Sequence, residues 1–187
     1  GDDQLFAGGG SDWVDGGSGD DYAELNLSDE TRNVTFRGDL AGQADGYTLV
    51  DGTHVRNVER FSIQTGSGDD RITANGAINA QLGAGDDRLT LTSVWTGEVY
   101  GYGGDGVDQA VFDLSAVTDA IWFGTYYSSH RLAWGPSYRA GLDGFERFSV
   151  TGGSANDQLE GGALDDLLTG NAGQDNLYGQ DGDDRLE

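Results

Sequence analysis

Toward the C-terminal end of the chain, apolar positions recur with a period of nine. Residues 152–187 read GGSANDQLE, GGALDDLLT, GNAGQDNLY and GQDGDDRLE. In each nine a leucine follows an aspartate by two places: Leu159, Leu168, Leu177 and Leu186 after Asp157, Asp166, Asp175 and Asp184. One apolar anchor in a polar, glycine-rich frame predicts short strands, each pointing one side chain inward, joined by tight turns. No such unit can bury a core alone, so the units are expected to stack as coils of a solenoid. Period-two alternation puts the residue two after each aspartate inside, which adds Ile72 and Leu89 to the four leucines as predicted core.

The same turn occurs elsewhere. Asp3, Asp12 and Asp21 stand nine apart in GDDQLF, AGGGSDWVD and GGSGDDYAE, and TGSGDDRIT, LGAGDDRLT and GGDGVDQAV place Asp70, Asp87 and Asp108 at intervals of 17 and 21 residues. These intervals lie near two nines, so the three are expected to stack on one edge. A longer repeat appears at a shift of 87 residues, where NVERFSIQTGSGDDRI (57–72) lies over GFERFSVTGGSANDQL (144–159) and LNLS (25–28) over FDLS (112–115). Each copy holds about 49 residues between two turns (70 − 21 and 157 − 108 both give 49). Within them AELNLS, NVTFRG, YTLVDG and VERFSI, and then AVFDLS, AIWFG and FERFSV, alternate polar with apolar residues. That predicts four or so strands per copy, continuing the solenoid as coils with enlarged loops; a hairpin flap on its side is the competing arrangement. The expected organisation is one solenoid region over 1–187, with N-terminal repeats at 1–24, a first module at 21–107, the start of a second at 108–160 and C-terminal repeats at 152–187. Both ends cut through a repeat, which leads us to expect an excerpt of a longer protein.

Composition narrows the fold class. Glycine accounts for 33 of 187 residues and proline for one, and no stretch has helical apolar periodicity, so the expected class is all-β and turn-dense. The glycines fall at set turn positions, where a positive φ is needed, which favours order over disorder. The net charge is −23, and 26 of the 33 acids are aspartate. A short carboxylate suits both tight turns and hard-cation ligation, whereas this charge repels phosphate backbones and anionic lipid heads. Nucleic acid and membrane surfaces are therefore excluded as partners, and no 18-residue apolar run or N-terminal signal pattern is present. With no cysteine, metal is the available staple in an oxidising setting.

The nonapeptides resemble the RTX, or haemolysin-type, calcium-binding repeat, G-G-x-G-x-D-x-U-x with U a large aliphatic. Four in tandem and three at the other end carry the resemblance. It implies a right-handed parallel β-roll in which calcium lies between turns two repeats apart on one edge, held by the aspartate and by backbone carbonyls of the first four turn residues. By position, the turns are Gly16, Gly17, Ser18 and Gly19 with Asp21; Thr65, Gly66, Ser67 and Gly68 with Asp70; Leu82, Gly83, Ala84 and Gly85 with Asp87; and Gly103, Gly104, Asp105 and Gly106 with Asp108. Toward the C-terminus they are Gly152, Gly153 and Ser154 with Asp157, then Asp166, then Gly170, Asn171, Ala172 and Gly173 with Asp175, and finally Gly182 with Asp184. The implied stacked pairs are Asp3 with Asp21, Asp70 with Asp87, Asp87 with Asp108, Asp157 with Asp175 and Asp166 with Asp184, giving at most five calcium ions. Ala155 and Leu164 replace the third glycine, and Asn171 and Gln180 the second. Leucine tolerates a left-handed backbone poorly, so the Asp166–Asp184 site departs most from the pattern. Asp12 has no partner 18 residues away.

Other constellations carry less. GYGGDG (101–106) fits G-x-G-x-x-G, but a strand pattern follows where a dinucleotide site needs a helix. His54 and His130 have no sequence neighbours that suggest a triad or a zinc site and read as loop or surface residues. Doublets such as Asp20–Asp21 and Asp69–Asp70 recur turn after turn, unlike an acid–base pair of a glycosidase. Trp122, Phe123, Tyr126, Tyr127, Trp134 and Tyr138 concentrate aromatics in the second copy, near Arg131 and Arg139. They suit packing of a wide coil; Trp122, Tyr126, Tyr127 and Trp134 are alternatively candidates for stacking on sugar rings. The expected function is thus non-enzymatic: a calcium-dependent folding and spacing module of a large secreted or surface-displayed bacterial protein, such as an adhesin, toxin or extracellular enzyme. The alternative is a polysaccharide-binding module. Expected partners are calcium and, secondarily, extracellular polysaccharide or neighbouring domains of the same chain.

Overall fold

The computed structural model describes residues 1–38, 45–74, 76–92, 97–135 and 137–187; the side chain of Tyr138 lies outside the described set. Among these residues the chain forms strands and no helix. In the N-terminal half they are β1 (Gln4–Ala7), β2 (Trp13–Asp15), β3 (Tyr22–Asn26), β4 (Thr35–Arg37), β5 (Tyr47–Thr48), β6 (His54–Arg56), β7 (Arg60–Gln64), β8 (Arg71–Ala74), β9 (Ile78–Gln81) and β10 (Arg88–Thr92). There follow β11 (Val99–Tyr102), β12 (Gln109–Asp113), β13 (Ile121–Tyr126), β14 (Ser129–Trp134), β15 (Ser137–Asp143), β16 (Arg147–Thr151), β17 (Gln158–Glu160), β18 (Leu167–Thr169), β19 (Asn176–Tyr178) and β20 (Arg185–Leu186).

These strands make an all-β parallel roll. From β7 to β12 the chain alternates between two sheets, one of ten strands (β1-β3-β7-β9-β11-β15-β14-β13-β17-β19) and one of seven (β20-β18-β16-β12-β10-β8-β4). Neighbouring coils pair in parallel and in register, as where Leu89 faces Ile72 on one side and Ala110 on the other. Coils stack so closely that a Cβ on Gly104 would lie 1.9 Å from the Gly83 carbonyl oxygen, and one on Gly83 2.1 Å from that of Gly66. Both glycines also have left-handed φ, +112° and +91°, so an L side chain is excluded twice over.

The core is the seam between the sheets. Ile72, Leu89, Leu159 and Leu168 are fully buried, as their place two after an aspartate predicts. Leu177 is only partly buried and Leu186 is 47% exposed. β19 and β20 are the last strands of their sheets, so these two leucines have a neighbouring coil on one side only. Where the coil widens, aromatics fill it. Phe36 packs edge-on against Phe61 with centroids 4.9 Å apart, and Phe123 against Phe148 at 5.2 Å.

The two 49-residue segments do not both continue as plain coils. In the first, β4 joins the seven-stranded sheet beside β8, whereas β6 pairs with β2 and β5 in a separate three-stranded sheet. In the second, β13, β14 and β15 form an antiparallel meander within the ten-stranded sheet, with β15 parallel to β11 and β13 parallel to β17. The hairpin weighed as a flap is therefore part of the sheet itself. Trp134, at the end of β14, is buried and belongs to the core.

Candidate metal centre

Each turn aspartate sits just before a strand, which fixes where its carboxylate goes. Oδ1 accepts the backbone N–H one coil back. Asp3 donates to Asp21 (2.7 Å), Asp70 to Asp87 (2.7 Å), Asp87 to Asp108 (2.9 Å), Asp157 to Asp175 (2.8 Å) and Asp166 to Asp184 (2.9 Å). All five stacked pairs are thus joined by a rung of an inner ladder, two of them (Asp3–Asp21, Asp157–Asp175) ahead of strands of the ten-stranded sheet and three ahead of strands of the seven-stranded one. Val34 N–H donates to Asp70 and Ile121 N–H to Asp157, at 2.7 and 2.8 Å, which carries the ladder into both 49-residue segments. Asp12 stands outside it: its N–H donates to Thr53 Oγ1 (3.2 Å), and its carbonyl accepts from His54 N–H.

Two rungs are glutamates that the nonapeptide pattern does not contain. Asp21 N–H donates to Glu59 Oε2 and Asp108 N–H to Glu146 Oε2, both at 2.9 Å. Their signal was present in the sequence. Both open an E-R-F-S strand, the same place relative to the strand that the aspartates hold before R-I and Q-L. The aspartate doublets acquire a role as well, because the first acid of each builds an outer ladder running in the opposite sense. Asp86 N–H donates to Asp69 Oδ1 (3.1 Å), Val107 N–H to Asp86 Oδ1 (3.0 Å) and Asp183 N–H to Asp165 Oδ1 (2.9 Å).

The second oxygen of the inner acids divides the turns into two kinds. In Asp21, Asp70, Asp87 and Asp108, Oδ2 is buried without a hydrogen-bond donor. In Asp157 and Asp166 it is tied to its own turn, accepting from Gly153 N–H (2.8 Å) and Gly162 N–H (2.5 Å). These last are the turns in which Ala155 and Leu164 stand at the third glycine, and neither residue takes a positive φ. Asn171 and Gln180, at the second glycine, do adopt it, at 65° and 74°. Asn171 Nδ2 also donates to the Gly152 carbonyl (2.7 Å), and the Leu82 carbonyl accepts from the Thr65 hydroxyl (2.6 Å). Those two carbonyls are therefore engaged within the protein.

Burial makes the charged form of these carboxylates costly. Asp87 is pushed up to about 7 and Asp108 to about 6, first by desolvation and then by neighbouring acids, with the accepted backbone N–H working the other way. Asp70 and Asp166 are also raised, again chiefly by burial. A buried, donor-less carboxylate oxygen calls for a cation.

Residues 1–23, 62–77 and 151–186 match the family model of the RTX calcium-binding nonapeptide repeat, in four copies. The chain carries RTX calcium-binding repeats. No curated protein matches it. The RTX turns at 82–87 and 103–108 fall outside the matched residues, yet their aspartates occupy consecutive rungs of the same inner ladder.

The residues fit the ion. Among the described residues no group of three or more acidic, histidine or cysteine side chains could hold a metal. A cation here must draw on one or two carboxylates plus backbone carbonyls, an all-oxygen set that suits calcium's six to eight ligands in loose geometry. RTX repeats of this kind are calcium-binding structural segments of secreted proteins.

The histidines and aromatics are placed differently from expectation. His54 stacks on Trp13 (4.4 Å, 19°). His130 is half-buried on β14: it packs against Phe148 and Phe123, Nε2 lies 3.0 Å from the Gly161 carbonyl, and burial lowers its pKa. Buried Trp134 carries the Arg139 guanidinium over its ring at 5.0 Å and is corrected from sugar platform to core. Trp122 is half-buried, while Tyr126 and Tyr127 are exposed.

Proposed function

We propose that this chain is a non-enzymatic module whose folding is switched on by calcium outside the cell, and which spaces or supports the other parts of a large secreted or surface-displayed bacterial protein. The observation that carries this reading is the row of donor-less Oδ2 atoms on buried Asp21, Asp70, Asp87 and Asp108. Two unit charges 4 Å apart repel by roughly 4 kcal/mol at an effective dielectric of about 20. A native domain has only about 5–15 kcal/mol of stability, so several unrelieved acids on successive coils exceed it. A divalent cation turns the same geometry into attraction, and because the turns scarcely exist in the unfolded chain, binding free energy becomes folding free energy. Affinities of about 0.1–1 mM, usual for extracellular modules, keep such a chain unfolded at cytosolic calcium. Export through a type I route, typical of RTX proteins, fits that switch.

The strongest sites in this reading lie at Asp21, Asp70, Asp87 and Asp108. Those at Asp157 and Asp166 are weaker, because a turn N–H competes for the second oxygen. The test is circular dichroism and hydrodynamic radius in chelator, then in millimolar calcium or magnesium. Calcium is expected to convert an expanded chain into a compact β-rich one, and magnesium to do so poorly, since it demands tight octahedral geometry. A chain already compact in chelator, with a melting temperature that calcium leaves unchanged, overturns the proposal.

A further inference from the structure

Four carboxylates have a buried Oδ2 without a donor, and two of them, Asp70 and Asp87, meet another aspartate turn on the next coil, at Asp87 and Asp108. Asp21 and Asp108 do not. Their N–H groups donate toward the next coil to Glu59 and Glu146, so no pair of aspartates accounts for these two oxygens. The glutamate turns stand 87 residues apart and are built alike. Asn57 and Gly144, two places earlier, hold a left-handed backbone at φ 51° and 69°, Val58 and Phe145 are buried, and the glutamate directly precedes β7 or β16. One such junction lies ahead of the ten-stranded sheet and the other ahead of the seven-stranded one.

The space each glutamate faces has the geometry found between two nonapeptide turns. A Cβ on Gly152 would lie 2.6 Å from Asp157 Oδ2 and 2.9 Å from the Gly170 carbonyl oxygen of the next coil, and one on Gly161 2.0 Å from Asp166 Oδ2 and 2.5 Å from the Gly179 carbonyl oxygen. The same construction on Gly16 falls 2.7 Å from Asp21 Oδ2 and 2.0 Å from the Asn57 carbonyl oxygen. On Gly103 it falls 2.4 Å from Asp108 Oδ2 and 2.0 Å from the Gly144 carbonyl oxygen. In all four places a carboxylate oxygen of one coil and a carbonyl oxygen of the next converge beside the turn's first glycine. What differs is how Oδ2 is satisfied: Gly153 and Gly162 N–H groups serve Asp157 and Asp166, whereas no donor serves Asp21 or Asp108. The glutamate supplies the second negative charge that an aspartate supplies elsewhere, and its extra methylene gives reach to a shorter turn. Two acids brought together around a buried, donor-less oxygen are costly unless a cation joins them. Two carboxylates with coil carbonyls form an all-oxygen set of the kind calcium takes.

We propose that Glu59 completes a calcium site with Asp21, and Glu146 one with Asp108, so that two ions beyond those of the aspartate pairs clamp each insert onto the turn it left 38 residues earlier. The inference rests on the calcium reading above and adds sites to it. The experiment is equilibrium dialysis against calcium, with circular dichroism on the same samples, for the whole chain, Glu59→Gln, Glu146→Gln and the double variant. Glutamine keeps an oxygen that accepts the aspartate N–H, so the rung survives and only the charge is lost. Each single variant is expected to lose one ion from the tight set, bound about tenfold or more weaker, and the double variant two, with the parent's β signal at saturating calcium. Glu24→Gln, at an exposed strand position, should bind as the parent does. A parent that binds and folds, beside a double variant with the same stoichiometry and midpoint, overturns this proposal alone. A parent that binds no calcium overturns the calcium reading and this proposal with it. If the double variant does not fold, the single variants decide. Denaturant midpoints that recover as calcium is raised support the sites, and a loss of the same size at every calcium level overturns them, since a rung that serves only the backbone is blind to the ion.

Discussion

The two 49-residue segments share their anchors and differ in what lies between. At both ends the contacts recur 87 residues apart: Asp21 to Glu59 and Asp108 to Glu146, Val34 to Asp70 and Ile121 to Asp157, Phe36 against Phe61 and Phe123 against Phe148. Between them, β4 and β6 go to separate sheets in the first segment, while β14 bridges β13 and β15 in the second. The local cause is sequence. IWFGTY and SHRLAW alternate across a two-residue turn in which Tyr127 takes φ 60°, the geometry a tight hairpin needs. The first copy reads GDLAGQADG over the corresponding stretch, a sequence without that alternation. The comparison teaches that this roll is fixed at its turn ladders and aromatic rungs, and is free to differ wherever an insert meets only solvent and its own sheet edge.

The aromatic rungs provide the severest test of that equivalence. Phe36→Ala and Phe123→Ala each delete a fully buried ring and should cost about 3–5 kcal/mol in calcium-saturated chain. Denaturant midpoints check this, and a cost confined to one copy breaks the comparison.

A second contrast sets the two kinds of turn against each other. Asp87→Asn removes a carboxylate whose Oδ2 has no donor, and should raise the calcium midpoint for folding about tenfold or more. Asp166→Asn, where Gly162 already satisfies that oxygen, should raise it by less than about threefold. Calcium titrations followed by circular dichroism distinguish them, and equal shifts erase the division.

The pH response follows from the same acids. Asp87 and Asp108 have folded-state values near 7 and 6, above the ordinary carboxylate 3.8. Between about pH 4 and 7 the folded chain therefore holds more protons than the unfolded one, and their contribution, complete below about 4, is lost as pH rises through 6 to 7. His130, depressed by burial, opposes this on the acid side, but it is one group against the raised acids. In chelator the β-rich fraction read by circular dichroism should be larger at pH 5 than at pH 8. In calcium the order should reverse, since protons compete with the ion for the same oxygens. A calcium-free β-rich fraction that grows with pH contradicts the assignment.

The smallest expected effect belongs to the hairpin alone. Tyr127, 90% exposed, holds a left-handed backbone, so Tyr127→Gly should stabilise by up to about 1 kcal/mol. Asn57→Gly, at φ 51° in a residue type that tolerates this region, should be near neutral. Thermal melts of both variants check the difference.

Much of this was legible in the chain. The place two after each turn aspartate put Ile72, Leu89, Leu159 and Leu168 in the core, because stacking coils turns a linear repeat into a spatial column, and the resemblance to RTX repeats implied the five pairs of aspartates. Glu59 and Glu146 were missed since a rung needs only a carboxylate of the right reach just ahead of a strand, and a search for aspartate in G-G-x-G-x-D passes over them. Trp134 stood between coil packing and sugar stacking because an aromatic at a strand end looks the same in sequence whether its ring turns to the core or to water; its burial settles it as packing.

What the sequence determined alone was whatever repeats: strand length, the inward residue, the acid at each turn, the all-β class. Such features depend on neighbours along the chain, and the period reports them directly. The tertiary structure decided which sheet each strand joins, which carboxylate oxygen lacks a donor, and that the second segment runs as a meander within the ten-stranded sheet. Those depend on contacts made 17 to 41 residues apart in the chain, where a one-coil difference in path changes the partner while the local pattern stays the same.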